Sequence, residues 1–167
     1  MNFRTLCADE IECRIGQINE RGLTLLLYKD ARCDMNILDE TVGAKNWKRR
    51  HTRDNANCIV SIYDEEKKEW IDKEDTGTES NTEKEKGLAS DSFKRACFNW
   101  GIGRSLYTAP FIYIPADKCK IVSKCNRYKT YDKFIVEAIK YDEKKNIIAV
   151  SIKNNRNERI FVWQKQK

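Results

Sequence analysis

Residues 80–107 carry the strongest periodic pattern in the chain. Ala89, Phe93, Ala96, Cys97 and Trp100 recur three and four positions apart and gather on one helical face, while Asp91, Lys94, Arg95 and Asn99 fall largely elsewhere. The stretch reads as an amphipathic helix with its apolar face in a core. Ser80 followed by Glu83 has the form of a capping box at its start, and Thr82 is a competing cap. Gly101 and Gly103 can supply the positive φ that ends a helix, so the spacing predicts a stop near residues 100–102.

The flanking segments have shorter periods. Leu6, Ile11, Ile15 and Ile18 lie at roughly helical spacing, and the pattern breaks at Asn19-Glu20-Arg21-Gly22, which predicts a first helix over 6–18. Residues 23–28 form an apolar run of strand length, and Met35, Leu38 and Val42 form one helical stripe closed by Gly43. A β region begins at Asn46-Trp47-Lys48. Residues 58–63 read as a strand, 64–68 as a charged turn and the segment from 69 as the hairpin partner. A short extended segment over 110–115 is fenced by the two prolines of the chain. Residues 134–139, 147–152 and 159–163 then read as a second meander. The order predicts an α+β fold: an antiparallel β-meander crossed by a long amphipathic helix, with a C-terminal β-meander extension. One domain is expected, with residues 1–115 as its α+β core and 116–167 as a β extension.

Composition narrows the chemistry. With 167 residues, 40% of them hydrophobic, the chain can bury a core of single-domain size. Thirty-two Lys and Arg against 26 Asp and Glu give a net charge of +6, which favours polyanions. Seven cysteines without a Cys-x-x-Cys pair, together with one histidine, match neither a disulfide framework nor a zinc site. The N-terminal residues do not resemble a signal peptide, and no apolar run has the length of a membrane span. A cytoplasmic protein is expected. No Gly-x-x-x-x-Gly-Lys-Ser/Thr segment is present, so no nucleotide cofactor or fuel is expected.

Three segments concentrate positive charge. Residues 44–53 hold Lys45, Lys48, Arg49, Arg50 and Arg53 without an acid, together with Trp47 and His51. Residues 118–129 hold Lys118, Lys120, Lys124, Arg127 and Lys129, again without an acid, with Tyr128 and Tyr131 close by. Lys94, Arg95 and Arg104 form the third cluster. Cations that track a phosphate backbone, with rings on which bases stack, are the elements of a single-strand groove. The alternative is a solvated basic surface. Asp72 and Glu74 on one strand face would permit metal binding and a nuclease reading, but they equally describe a solvated sheet face. Cysteine nucleophile chemistry has only His51 as a histidine base, and Cys97 lies on the apolar helix face.

Thr76-Gly77-Thr78-Glu79, followed by Ala89-Ser90-Asp91-Ser92-Phe93-Lys94-Arg95-Ala96-Cys97-Phe98-Asn99-Trp100-Gly101, resembles the signature of the Rad-fifty-two/Rad-twenty-two family of single-strand annealing proteins. Gly43-x-x-Asn46-Trp47 is similar to that family's Gly-x-x-Gly-Trp segment. The resemblance spans about residues 10–107, and its form is most like the short phage and prophage versions. Two positions depart from the pattern: Asn46 stands where the family has Gly, and Phe98 where a basic residue is frequent.

The resemblance implies a non-enzymatic, ATP-independent protein that binds single-stranded DNA and anneals complementary strands in homologous recombination and DNA repair. It implies a homo-oligomeric ring, with other recombination or replication proteins as further partners. It assigns phosphate contact to Lys94, with Arg95 beside it, and to Arg14 as the family's first-helix arginine. Lys45, Lys48, Arg49 and Arg50 complete the expected DNA-binding set. No catalytic residue, metal or cofactor is expected. An accessory nucleic-acid module that does not anneal is the alternative on the same fold.

Overall fold

The computed structural model describes residues 1–78, 84–124 and 127–166. Among them are two α-helices, α1 (Ala31–Val42) and α2 (Lys84–Trp100). The strands are β1 (Glu12–Asn19), β2 (Gly22–Tyr28), β3 (Trp47–Thr52), β4 (Asn57–Asp64), β5 (Glu69–Thr76), β6 (Ile112–Pro115), β7 (Ile121–Lys124), β8 (Arg127–Thr130), β9 (Phe134–Tyr141), β10 (Ile147–Asn154) and β11 (Arg159–Gln164). All strand pairs are antiparallel, and the class is α+β. The expected cap residues Ser80, Thr82 and Glu83 lie outside the described residues.

The chain divides into two compact units, one of Met1–Thr5 with Asp30–Arg104 and one of Leu6–Lys29 with Ser105–Lys167. The first runs helix, three-strand meander, helix. Asp30 caps α1 by accepting the Cys33 N–H at 2.9 Å. Gly43, at φ 85°, closes the helix and donates to the Asp39 carbonyl. Asn46 then ties the exit, its side-chain amide donating to the Val42 carbonyl and its own carbonyl accepting from Tyr63 N–H. Trp47 begins β3 at that point, and the sheet order is β3-β4-β5.

Helix α2 lies against β4 and β5. Phe93, Ala96 and Cys97 on α2 are fully buried, as are Cys58 and Val60 on β4. Two features fix its position. Gly77 passes so close to the helix that a Cβ there would sit 2.5 Å from the Ser92 amide nitrogen. Thr78 follows, donating from its N–H to the Asp91 carboxylate at 2.9 Å. At the other end Gly101 and Gly103 take φ of 97° and 71°, and the helix stops at Trp100.

The second unit contains the strand order β11-β10-β9-β1-β2-β6, and β7 and β8 form a separate hairpin. Here the helix expected over 6–18 is replaced by a short 3-10 turn, Ala8–Glu10, and strand β1. The helical spacing there was irregular, and Gly16 weakens any helix through it. The decisive element is the turn at Glu20-Arg21. Asn19 Oδ1 accepts the N–H groups of Arg21 and Gly22 at 2.8 and 3.2 Å, folding the segment back on the apolar β2 run. Ile15 is consequently 41% exposed, although it belonged to the supposed buried stripe.

The C-terminal meander β9-β10-β11 shares its sheet with β1, β2 and β6, not with β3-β4-β5. A division at residue 115 would fall inside this second unit. No helix among the described residues is long and apolar enough to cross a membrane.

The close approach at Gly77 generates a direct test. Gly77→Ala must displace α2 backbone and is expected to cost about 1–3 kcal/mol of stability, the range for overpacking a filled site. A urea melt of the variant measures it, and an unchanged midpoint contradicts the packing described.

Candidate nucleic-acid interface

The docking of α2 decides where the charge of β3 goes. Strand residues paired across a ladder share a face, so Trp47, Arg49 and His51 align with Ile62, Val60 and Cys58 beneath the helix. Lys48, Arg50 and Thr52 align with Ser61, Ile59 and Asn57 on the opposite face. Lys48, Arg49 and Arg50 are all exposed. β3 is an edge strand, so these three cations line one border of the sheet on both of its faces.

Each face combines cations with rings. On the α2 side Trp47 stacks on Phe93 with centroids 6.1 Å apart, and the Arg49 guanidinium lies 4.8 Å from the Phe93 centroid. Trp47 also donates its indole N–H to Asp39 at 2.6 Å, which fixes the start of the strand. On the opposite face the Lys48 ammonium sits 4.0 Å from the centre of Trp70. Trp70 meets Tyr63 edge to face at 5.5 Å and is 39% exposed. This ring pair was not singled out in the sequence, because Trp70 reaches Lys48 only through the β3-β4-β5 pairing.

The tip joining β3 to β4 is unusual. Arg53, Asp54 and Asn55 take successive φ values of 52°, 51° and 70°. That left-handed run is held from outside: Ser92 on α2 donates to the Asn55 carbonyl at 3.0 Å, and Gly77 N–H donates to the Ala56 carbonyl at 2.8 Å. The contacts offset a conformation that Asn and Asp tolerate and Arg adopts at a cost. They present the exposed Arg53 next to the β3 cations.

The remaining expected residues are distributed differently. Lys45 is exposed in the segment between α1 and β3. Lys94 is half-buried on α2. Arg95 turns toward β5, where its guanidinium meets Asp75 at 3.4 Å. Arg104 donates to the Phe98 and Asn99 carbonyls at 2.7 and 3.0 Å, and Lys73 donates to the Asn99 carbonyl at 2.8 Å. Those two cations therefore serve the C-terminal carbonyls of α2. Arg14 lies in the other unit, on β1 and not on a helix; it pairs with Glu12 at 2.8 Å and lies over the Tyr28 ring. The fold gathers Lys48, Arg49 and Arg50 on one strand, leaves Lys94 and Arg95 on the helix above, and puts Arg14 in a separate unit.

The competing chemistries find other uses for their groups. Asp72 and Glu74 share the face opposite α2, where Glu74 accepts from the Asn57 amide at 2.7 Å. Among the described residues no group of three or more His, Cys, Asp or Glu is placed to hold a metal. Burial pushes the Cys13 thiol up to about 12 and the Cys58 thiol up to about 11, far from a thiolate at neutral pH. Cys97 is fully buried. Comparison with protein-family models, with curated proteins and with solved structures finds no match to this chain.

His51 is a built-in reporter for β3. Burial and then the Arg49 charge lower its pKa below the ordinary histidine value. A lowered histidine pKa means that the folded state binds its proton less readily than the unfolded one. The associated stability is complete above the ordinary value and is lost as the pH falls from there toward the folded pKa. Since His51 is the one histidine of the chain, its imidazole proton resonances are unambiguous. Arg49→Gln should raise its pKa, and a saturating single-stranded oligonucleotide should raise it further in the direction of a nearby anion. A titration unmoved by the oligonucleotide would place the strand away from β3.

Proposed function

We propose that this chain is an ATP-independent protein that binds single-stranded DNA and anneals complementary strands, acting in homologous recombination and DNA repair without catalytic residues or a cofactor. The observation that carries the reading is β3, an acid-free edge strand with Lys48, Arg49 and Arg50 exposed, a ring under Lys48 on one face and a ring under Arg49 on the other. Phosphates neutralised along that border supply affinity, and they carry no sequence preference. Trp70 and Tyr63 offer a stacking platform that tolerates any base.

On this reading the meander β3-β4-β5 is the frame, α2 is the long amphipathic helix that crosses it, and Lys94 extends the phosphate track from above, while Arg95 is held by Asp75. Arg14 contributes from its own unit. The protein works in the cytoplasm as a homo-oligomeric ring, where many weak contacts add up by avidity, and other recombination or replication proteins are its partners. The motif of residues 76–101 supports the reading, as does the order helix, meander, helix in the first unit.

The test is the salt dependence of oligothymidylate binding by fluorescence anisotropy. Each phosphate contact on a single strand contributes about 0.7 to the slope of log K against log salt, so Lys48→Gln/Arg50→Gln should flatten it by about 1.4 and Lys94→Ala by about 0.7. Trp70→Ala should cost about 1–3 kcal/mol of affinity at constant slope. Wild-type slopes retained in the charge variants would remove β3 and Lys94 from the interface.

A further inference from the structure

The basic segment 118–129 is left over by the β3 site, and its geometry gives it a role of its own. β7 and β8 pair with Val122 opposite Lys129 and Lys124 opposite Arg127. Paired residues share a face, so Val122, Lys124, Arg127 and Lys129 project together, and all four are exposed. Arg127 and Lys129, two positions apart on one strand, project roughly 6.6 Å from each other. The reverse face carries Ile121, Ser123, Tyr128 and Thr130, all but the exposed Ser123 partly covered, with the Tyr128 hydroxyl 3.4 Å from Glu20. The hairpin is thus seated on one side and cationic on the other.

Its charges are unneutralised, in contrast to the arginines elsewhere in the unit. Arg14, Arg21, Arg156 and Arg159 each pair with a carboxylate. Among the described residues, Lys118, Lys120, Lys124, Arg127 and Lys129 form no ion pair. Asp132, just beyond the hairpin, is already engaged: it accepts the Lys120 backbone N–H at 2.8 Å and the Arg156 guanidinium at 3.1 Å. Beside the hairpin Tyr131 stands 80% exposed. A row of unpaired cations with a free ring at its end matches a phosphodiester backbone with unstacked bases better than it matches a lipid surface, which would need an apolar face to insert.

We infer that the β7-β8 hairpin is a second, separate contact for single-stranded nucleic acid, made by Lys124, Arg127 and Lys129 to phosphates and by Tyr131 to a base. The inference rests on the annealing reading only for the choice of a single strand as ligand. A protein that anneals has two strands to handle, and a second basic surface gives it somewhere to hold strand that β3 does not.

Lys124→Gln/Arg127→Gln/Lys129→Gln in the full chain tests it, with Lys48→Gln/Arg50→Gln as the comparison and thermal melts to verify folding. Binding of a long labelled oligothymidylate across a salt series should show a slope flatter by about 2 in the hairpin variant, three contacts at about 0.7 each. Tyr131→Ala, at a side chain that packs against little, should weaken binding several-fold and leave the slope unchanged. Wild-type affinity and slope in the hairpin variant overturn the inference, and if the β3 variant alone loses binding, the β3 reading survives without it. Loss confined to the hairpin variant supports the hairpin and removes β3. Unaltered oligonucleotide binding together with lost binding to phosphatidylserine vesicles makes the surface lipidic and overturns the inference. A wild-type chain that binds no oligonucleotide overturns both.

Discussion

The docking of α2 on β4 is the contact on which the first unit depends. Phe93, Ala96 and Cys97 fill the space above Cys58, Val60 and Ile62, all essentially without solvent exposure. Burying a Phe, Val or Ile side chain is worth roughly 1.5–3 kcal/mol, more than any surface ion pair near them can supply. The contact is also exacting in shape, since Gly77 has no room for a side chain against Ser92. From that one seat follow the placement of Arg49 over Phe93, the hold of Ser92 on the strained tip at 53–55, and the indole N–H of Trp100 donating to the Val60 carbonyl at 2.9 Å.

The charge pattern follows from this packing. A helix that covers the apolar face of β4 leaves the edge strand β3 to solvent, and an exposed edge invites unwanted strand pairing. Lysine and arginine on β3 discourage that pairing whatever else they do. What the protective role does not require is the ring beneath Lys48 and beneath Arg49 or the acid-free run that extends through Lys45 and Arg53. These additions are what the proposed polyanion-binding role would use. By contrast Arg95, Arg104 and Lys73 are drawn into structure, one by Asp75 and two by the carbonyls at the end of α2. A count of cations along the sequence overstates what is available to a ligand.

Where the sequence was legible, local signals and tertiary packing agreed. Gly43 ended α1, the charged turn at 64–68 joined two strands, and the helical face around Phe93 became core. In the segment 6–18 apolar residues at irregular spacing imitate a helix, while the feature that makes it a strand, the Asn19 turn, needs β2 as a partner. The partition of strands was equally hidden. Nothing in the pattern of β9, β10 and β11 says that they pair with β1 rather than with the nearer β5, because sheet membership is set by long-range pairing. For the same reason the cations at 44–53 were visible as a cluster, but the stacking of Lys48 on Trp70 was not.

The central claim is that the chain speeds the pairing of complementary strands without fuel or metal. The most direct measurement is the annealing rate of two labelled complementary oligonucleotides with EDTA and without ATP, with particle size followed by light scattering in the same sample. Annealing well above the spontaneous rate by a particle much larger than one chain is expected. A spontaneous rate in the presence of bound, monomeric protein would contradict it.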